Sequence, residues 1–221
     1  MFAAKNVNLC GINPPILFDA VGAGAKGALT NPSWSHTLGF SPYGSSLLCV
    51  GMNSVSGLPS AVNWAGHSFT RAAEYTFSSG YLTLWYLIIE PTQGGQTGTI
   101  TVTSSYSYSA CGSISYLNVM SLYDAGGASN ETAAPYEFNA LNGVTNNKGY
   151  LEVACFGSSN SGSFTTTSGT QRFNDAYSSG VNYPFWMGDA IAPVPGVAIQ
   201  VGSPGGDTAV AAAVFSNTYG D

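Results

Sequence analysis

From Thr99 to Ala110 the chain alternates with a two-residue period: Ile100, Val102, Tyr106 and Tyr108 fall on one parity, and Thr99, Thr101, Thr103, Ser105, Ser107 and Ser109 on the other. That period marks a pleated strand, and at about 3.3 Å per residue the segment would run roughly 40 Å. No charge interrupts it. A strand with one face on a core normally shows Lys or Glu on its other face, partly to stop foreign strands from pairing with it. This one offers only hydroxyls. Either other strands of the chain shield that side or another copy covers it, which makes Thr99, Thr101, Thr103, Ser105 and Ser107 the expected interface positions.

Further strands are predicted at Ile16 to Val21, Ser33 to Leu38, Ser46 to Met52, Ala61 to Trp64, Tyr81 to Ile89, Ser113 to Val119, Gly149 to Phe156, Ser163 to Thr167, Val197 to Val201 and Ala209 to Phe215, with the alternating run itself spanning Thr97 to Ala110. Gly, Pro, Asn and Ser clusters separate most of them. Apolar residues never recur at helical spacing over a long window, so helix is expected to be minor. The predicted fold is all-β: an antiparallel two-sheet β-sandwich, jelly-roll-like, over residues 16–221 as a single domain, preceded by an extended arm over residues 1–15 that ends at Pro14-Pro15. Tyr81 to Ile89 is apolar on both parities and reads as a central strand with both faces covered. Two layers cover only one face of each sheet, so the second cover is expected from the segment Ser121 to Lys148 or from a neighbouring subunit.

Composition sharpens this. Charged residues make up 7% of the 221 positions, against a usual quarter or so, while 44% are hydrophobic and 13% aromatic, enough to fold around a sizeable core. Five basic residues, a net charge of -6 and a pI near 4.6 argue against nucleic acid as a partner. No run is long and apolar enough to span a bilayer as a helix, and Met1 to Cys10 lacks the apolar stretch of a leader, so neither membrane insertion nor secretion is expected. Cys10, Cys49, Cys111 and Cys155 are too scattered for a metal site; Cys49 and Cys155 read as small buried hydrophobes, and any disulfide pairing stays open.

Candidate chemistry is sparse. Gly22 to Gly27 spells G-x-G-x-x-G, but Pro32 follows and no helix period does, so a nucleotide cofactor is not expected. A hydrolase would have to use His36 or His67, neither of which carries a supporting motif, or a carboxylate pair drawn from Glu74, Glu90, Asp124, Glu131, Glu137 and Asp175. No catalytic residue, metal or cofactor is assigned. Tyr183, Phe185 and Trp186, in a stretch read as irregular, are the best candidates for an exposed aromatic platform for a glycan.

Read together, Phe18-Asp19-Ala20-Val21-Gly22, Trp34-Ser35-His36-Thr37, Leu47-Leu48-Cys49-Val50, Val62-Asn63-Trp64-Ala65-Gly66, and Leu84-Trp85-Tyr86-Leu87 with Pro91 before Gly98-Thr99-Ile100-Thr101-Val102 form a pattern that resembles a β-sandwich domain of bacteriophage minor tail and other virion proteins, particularly of phages of actinobacteria. The similarity covers about residues 16–216. It implies a structural, non-enzymatic virion subunit, assembled in the host cytoplasm and touching the host surface; the residues themselves add packing with its own copies and other virion proteins, and a host cell-surface glycan as the ligand of the aromatic platform. A capsid decoration protein and a carbohydrate-binding module are the alternatives.

Overall fold

Alternating segments become strands here because both of their parities find a partner layer. The computed structural model describes residues 14–41, 44–55, 57–77, 80–91, 95–104, 109–129, 136–138, 149–159, 162–178, 182–191, 199–202 and 207–218. The first half contains β1 (Leu17–Val21), β2 (Ala25–Gly27), β3 (Ser33–Leu38), β4 (Ser46–Val55), β5 (Ala61–Trp64), β6 (His67–Ser68), β7 (Thr70–Phe77), β8 (Gly80–Ile89), β9 (Gln96–Thr103) and β10 (Ser109–Leu117). They form an inner sheet, β1-β10-β4-β8-β7 with β2 beside β10, and an outer sheet, β3-β9-β5-β6. The second half contains β11 (Ser121–Ser129), β12 (Tyr136–Phe138), β13 (Tyr150–Ser158), β14 (Thr165–Ser168), β15 (Thr170–Ser178), β16 (Asn182–Ile191), β17 (Ile199–Gly202) and β18 (Thr208–Ser216). Its inner sheet is β11-β18-β13-β16-β15 and its outer sheet β12-β17-β14. Every pairing among these strands is antiparallel.

Three apolar layers hold the four sheets in one stack. Trp34, Val62, Trp64, Ile100 and Val102 of the first outer sheet meet Leu48, Val50, Met52, Trp85 and Cys111 of the first inner sheet. On its other side that sheet presents Leu47, Cys49, Leu82, Leu84 and Ile114 to Leu151, Val153, Cys155, Phe185, Met187 and Phe215 of the second inner sheet. Ala154, Phe156, Trp186 and Ala212 then face Phe164, Ile199 and Val201 at the second outer sheet. The antiparallel sandwich expected from the sequence is present, with four layers rather than two. Both faces of Tyr81 to Ile89 are therefore covered from within the chain, by two different sheets. Of the segment Ser121 to Lys148, the expected source of a cover, Ser121–Ser129 is an edge strand of the covering second inner sheet and Tyr136–Phe138 a strand of the second outer sheet, and the rest lies outside the described residues.

Two other expectations change. The long strand does not run unbroken, because β9 stops at Thr103 and the next strand, β10, lies in a different sheet. Ser104 ends it, its N–H going to the Asn31 side chain at 3.0 Å instead of a ladder partner. The stretch around Tyr183 to Trp186 is regular β16, not irregular. Pro184 is tolerated there because the β13 ladder reaches only to Phe185, so no neighbour on that side asks for the missing N–H.

The halves share one topology. In each, the first strand pairs with the last, the last with the second long strand, and that strand with a hairpin, while three intervening segments build the outer sheet. This is jelly-roll order. The registers agree as well: Leu47 opposite Tyr116 corresponds to Leu151 opposite Phe215, and bulges follow Phe18 and Leu122 in the first strands and Arg71 and Gln171 in the hairpins. Corresponding residues also meet across the middle, as an approximate twofold requires. Gly51 and Cys155 are such twins, and a Cβ on Gly51 would lie 3.1 Å from the Cys155 Cβ. The described residues thus build two like halves packed across a common core.

Candidate functional site

β9 is central in the first outer sheet, between β3 and β5. Ile100 and Val102 point into the core, which turns Thr97, Thr99, Thr101 and Thr103 outward, all exposed. The register sets Ser33 and Asn63 on either side of Thr101, Ser35 beside Thr99, and Thr37 beside Thr97. Ser33, Ser35, Thr37 and Ser68 are likewise exposed. Neighbouring groups hydrogen-bond along the face: Thr37 Oγ1 lies 2.9 Å from Thr97 Oγ1, and Ser68 Oγ donates to Asn63 Oδ1 at 2.9 Å. None of these four strands contains Asp, Glu, Lys or Arg. Of the expected interface positions, Thr99, Thr101 and Thr103 lie together on this face; Ser105 and Ser107 lie outside the described residues. Among the described residues no strand of the chain lies over this face.

The aromatic platform does not form as expected. Phe185 and Trp186 are fully buried, one in the layer between the inner sheets and the other under the second outer sheet, because successive residues of β16 point to opposite faces and both faces are covered. Trp186 Nε1 donates to Thr166 Oγ1 at 3.0 Å. Tyr183 is half-buried.

His36 does meet a carboxylate, through Ser115. Trp34 Nε1 donates to Ser113 Oγ (2.8 Å), and the Ser113 hydroxyl to His36 Nδ1 (2.8 Å). His36 Nε2 donates to Ser115 Oγ (3.0 Å), and the Ser115 hydroxyl to Asp19 Oδ2 (2.7 Å), which also accepts the Gly39 N–H. Trp34 can only donate, so satisfying every group fixes the ring as the neutral Nε2–H tautomer. Burial lowers the imidazole to about 4, with Asp19 opposing the shift. Gly22 closes one end of the chain: a Cβ there would overlap Ser113 Oγ and sit 2.8 Å from His36 Nδ1. Ser113 and Ser115 are inaccessible, so this row stitches the first outer sheet to β10 and β1 and presents no hydroxyl to a substrate. Gly22 to Gly27 leads from β1 into β2, with no helix after it.

The sequence reading missed a second polar group, between the halves. Arg172 Nε donates to Asp189 Oδ2 at 2.5 Å, Tyr116 donates to the same oxygen at 2.6 Å, and the guanidinium lies 3.6 Å from the Phe18 ring centroid. Its signal was Asp189 standing alone in the apolar run Phe185 to Ile191. Cys49, Cys111 and Cys155 are free and buried, and burial pushes the Cys111 thiol up to about 12. Among the described residues no cluster of His, Cys, Asp and Glu could hold a metal, and no helix is long and apolar enough to cross a membrane. Set beside known proteins, the chain matches no family model, no curated protein and no solved structure.

Proposed function

We propose that the chain is a structural, non-enzymatic subunit that packs into an oligomeric assembly through the hydroxyl face of β3-β9-β5-β6, and that the assembly is a bacteriophage virion. A minor tail protein is the first position to test and a capsid decoration protein the alternative. The supporting observation is the face itself: a regular sheet surface, without Asp, Glu, Lys or Arg, on a chain of net charge -6. Copies of like charge repel everywhere except where charge is missing, and Ser and Thr, which donate and accept, satisfy one another in any register. The apolar two-faced strands no longer argue for a neighbour, since the chain covers them itself. Jelly rolls serve capsids and lectins alike, so the fold adds only an analogy. The buried Phe185 and Trp186 leave the glycan reading without its platform.

Mass photometry of the purified full chain, with imaging of the intact particle to locate it, is the test. Discrete oligomers at micromolar concentration and density for the chain in the virion are expected. A monomer at all concentrations, with no place in a particle, would overturn the proposal.

A further inference from the structure

Among the described residues of the C-terminal half, Glu152 is the only acidic or basic one buried in the layer between the second inner and outer sheets. It stands in β13 on the face that meets the second outer sheet, with 1% of its surface exposed, beside Ala154, Ala212 and Ile199. One carboxyl oxygen accepts the Ile199 N–H of β17; the other, Oε1, is buried without a partner. The twin position in the N-terminal half is Leu48, fully buried at the matching sheet contact. The fold therefore accepts an aliphatic side chain here, and the carboxyl weakens the layer whenever it ionises. Few charges surround it. Asp124 follows on the same face across Val214 and is exposed; Asp189 of β16 turns its carboxylate to the opposite face, to Tyr116 and Arg172; Glu137 of β12 is in register with Gln200. No described cation faces Glu152.

We propose that Glu152 is a proton-operated latch: protonated, it lets β12-β17-β14 lie closed on the inner sheet, and ionised, it releases that sheet while the hydroxyl-bearing sheet of the other half stays in place. Burial raises its carboxyl to about 7, the Ile199 N–H opposing, so the latch works near neutrality. The inference is independent of the assembly reading.

Hydrogen exchange on the full chain tests it. Between pH 6 and 8.5, after correction for intrinsic exchange, opening of the second outer sheet should become roughly tenfold more frequent in the wild type. It should not change in Glu152→Gln or Glu152→Leu, and amides of β3, β9 and β5 should hold their protection throughout. Equal pH responses in the wild type and Glu152→Gln, or equal loosening of both outer sheets, would overturn the latch. The glutamine variant keeps the shape and the oxygen for Ile199, so the test survives if the leucine variant misfolds.

Discussion

The two halves build the same jelly roll and put different polar groups at matching positions. In the N-terminal half a directed row runs from Trp34 to Asp19 in which each donor has an acceptor, while Asn53 Oδ1, Thr83 Oγ1, Trp85 Nε1 and Ser109 Oγ are buried without a hydrogen-bond partner. In the C-terminal half Glu152 occupies the place of Leu48 and keeps an orphan oxygen. The seam between them diverges too. Tyr86 meets Phe215 edge-on with centroids 5.6 Å apart, and at the twin contact Asp189 replaces Tyr86 and Tyr116 replaces Phe215, giving a carboxylate held by a phenol and an arginine. Position in the fold fixes which residues touch, and side-chain chemistry decides whether the contact is permanent or conditional.

That contrast can be broken most severely at Asp189. Asp189→Ala leaves Arg172 and Tyr116 facing each other without their acceptor and should cost about 3–5 kcal/mol in urea denaturation, whereas Tyr86→Leu at the twin contact should lose mainly the ring-edge term, about 0.5–1.5 kcal/mol. Equal losses would show that the seam does not distinguish the two ends. Next come the titrations. His36 has a depressed pKa, so the unfolded chain takes up its proton first; the stability it contributes is complete above pH 6.5 and is lost, by about 3 kcal/mol, as pH falls from there through about 4. Glu152 acts the other way. Its raised pKa means the folded state holds the proton longer, so the stability it contributes is complete below pH 4.5 and falls by about 3 kcal/mol as pH rises through about 7, and between pH 4.5 and 6.5 the two slopes largely cancel in the wild type. Urea midpoints across pH separate the two by variant: His36→Gln should leave the Glu152 slope, stability falling from pH 4.5 to about 7, and Glu152→Leu should leave the His36 slope, stability rising from about pH 4 to 6.5. Gly22→Ala, which drives a methyl group into Ser113 and His36, should cost about 1–3 kcal/mol. The smallest effect is expected from lysines at Thr99 and Thr101, within about 0.5 kcal/mol on fold stability.

How much of this the sequence disclosed depended on what each residue needed. Ser33 to Leu38 and Ala61 to Trp64 are strands with those bounds because their alternation has one buried parity and one polar one. Ala209 to Phe215 is a strand despite its alanines, since a strand buried on both faces between sheets favours small side chains. The fourfold layering was not legible: two-faced apolar strands demanded a cover without naming it, and the twin halves share few identities, Leu47 with Leu151 and Thr70 with Thr170 among them. Glu152 shows why. With Leu151, Val153 and Cys155 on one parity it reads as a solvent-side carboxylate, and only the unseen outer sheet buries it. The hydroxyl face was visible at Thr99, Thr101 and Thr103 because the absence of charge is itself a sequence fact; the Trp34 to Asp19 row was not, as its members are scattered through the chain and meet only in three dimensions.

The comparison of the two outer sheets also supplies the direct test of the assembly claim. Thr99→Lys with Thr101→Lys on the first outer sheet, set against Thr165→Lys with Thr167→Lys on the exposed side of the second, should be followed by mass photometry at one concentration series. On the assembly claim, the first pair reduces the oligomers to monomers while the second pair leaves the mass distribution unchanged. Oligomers that survive lysines at Thr99 and Thr101 would contradict it.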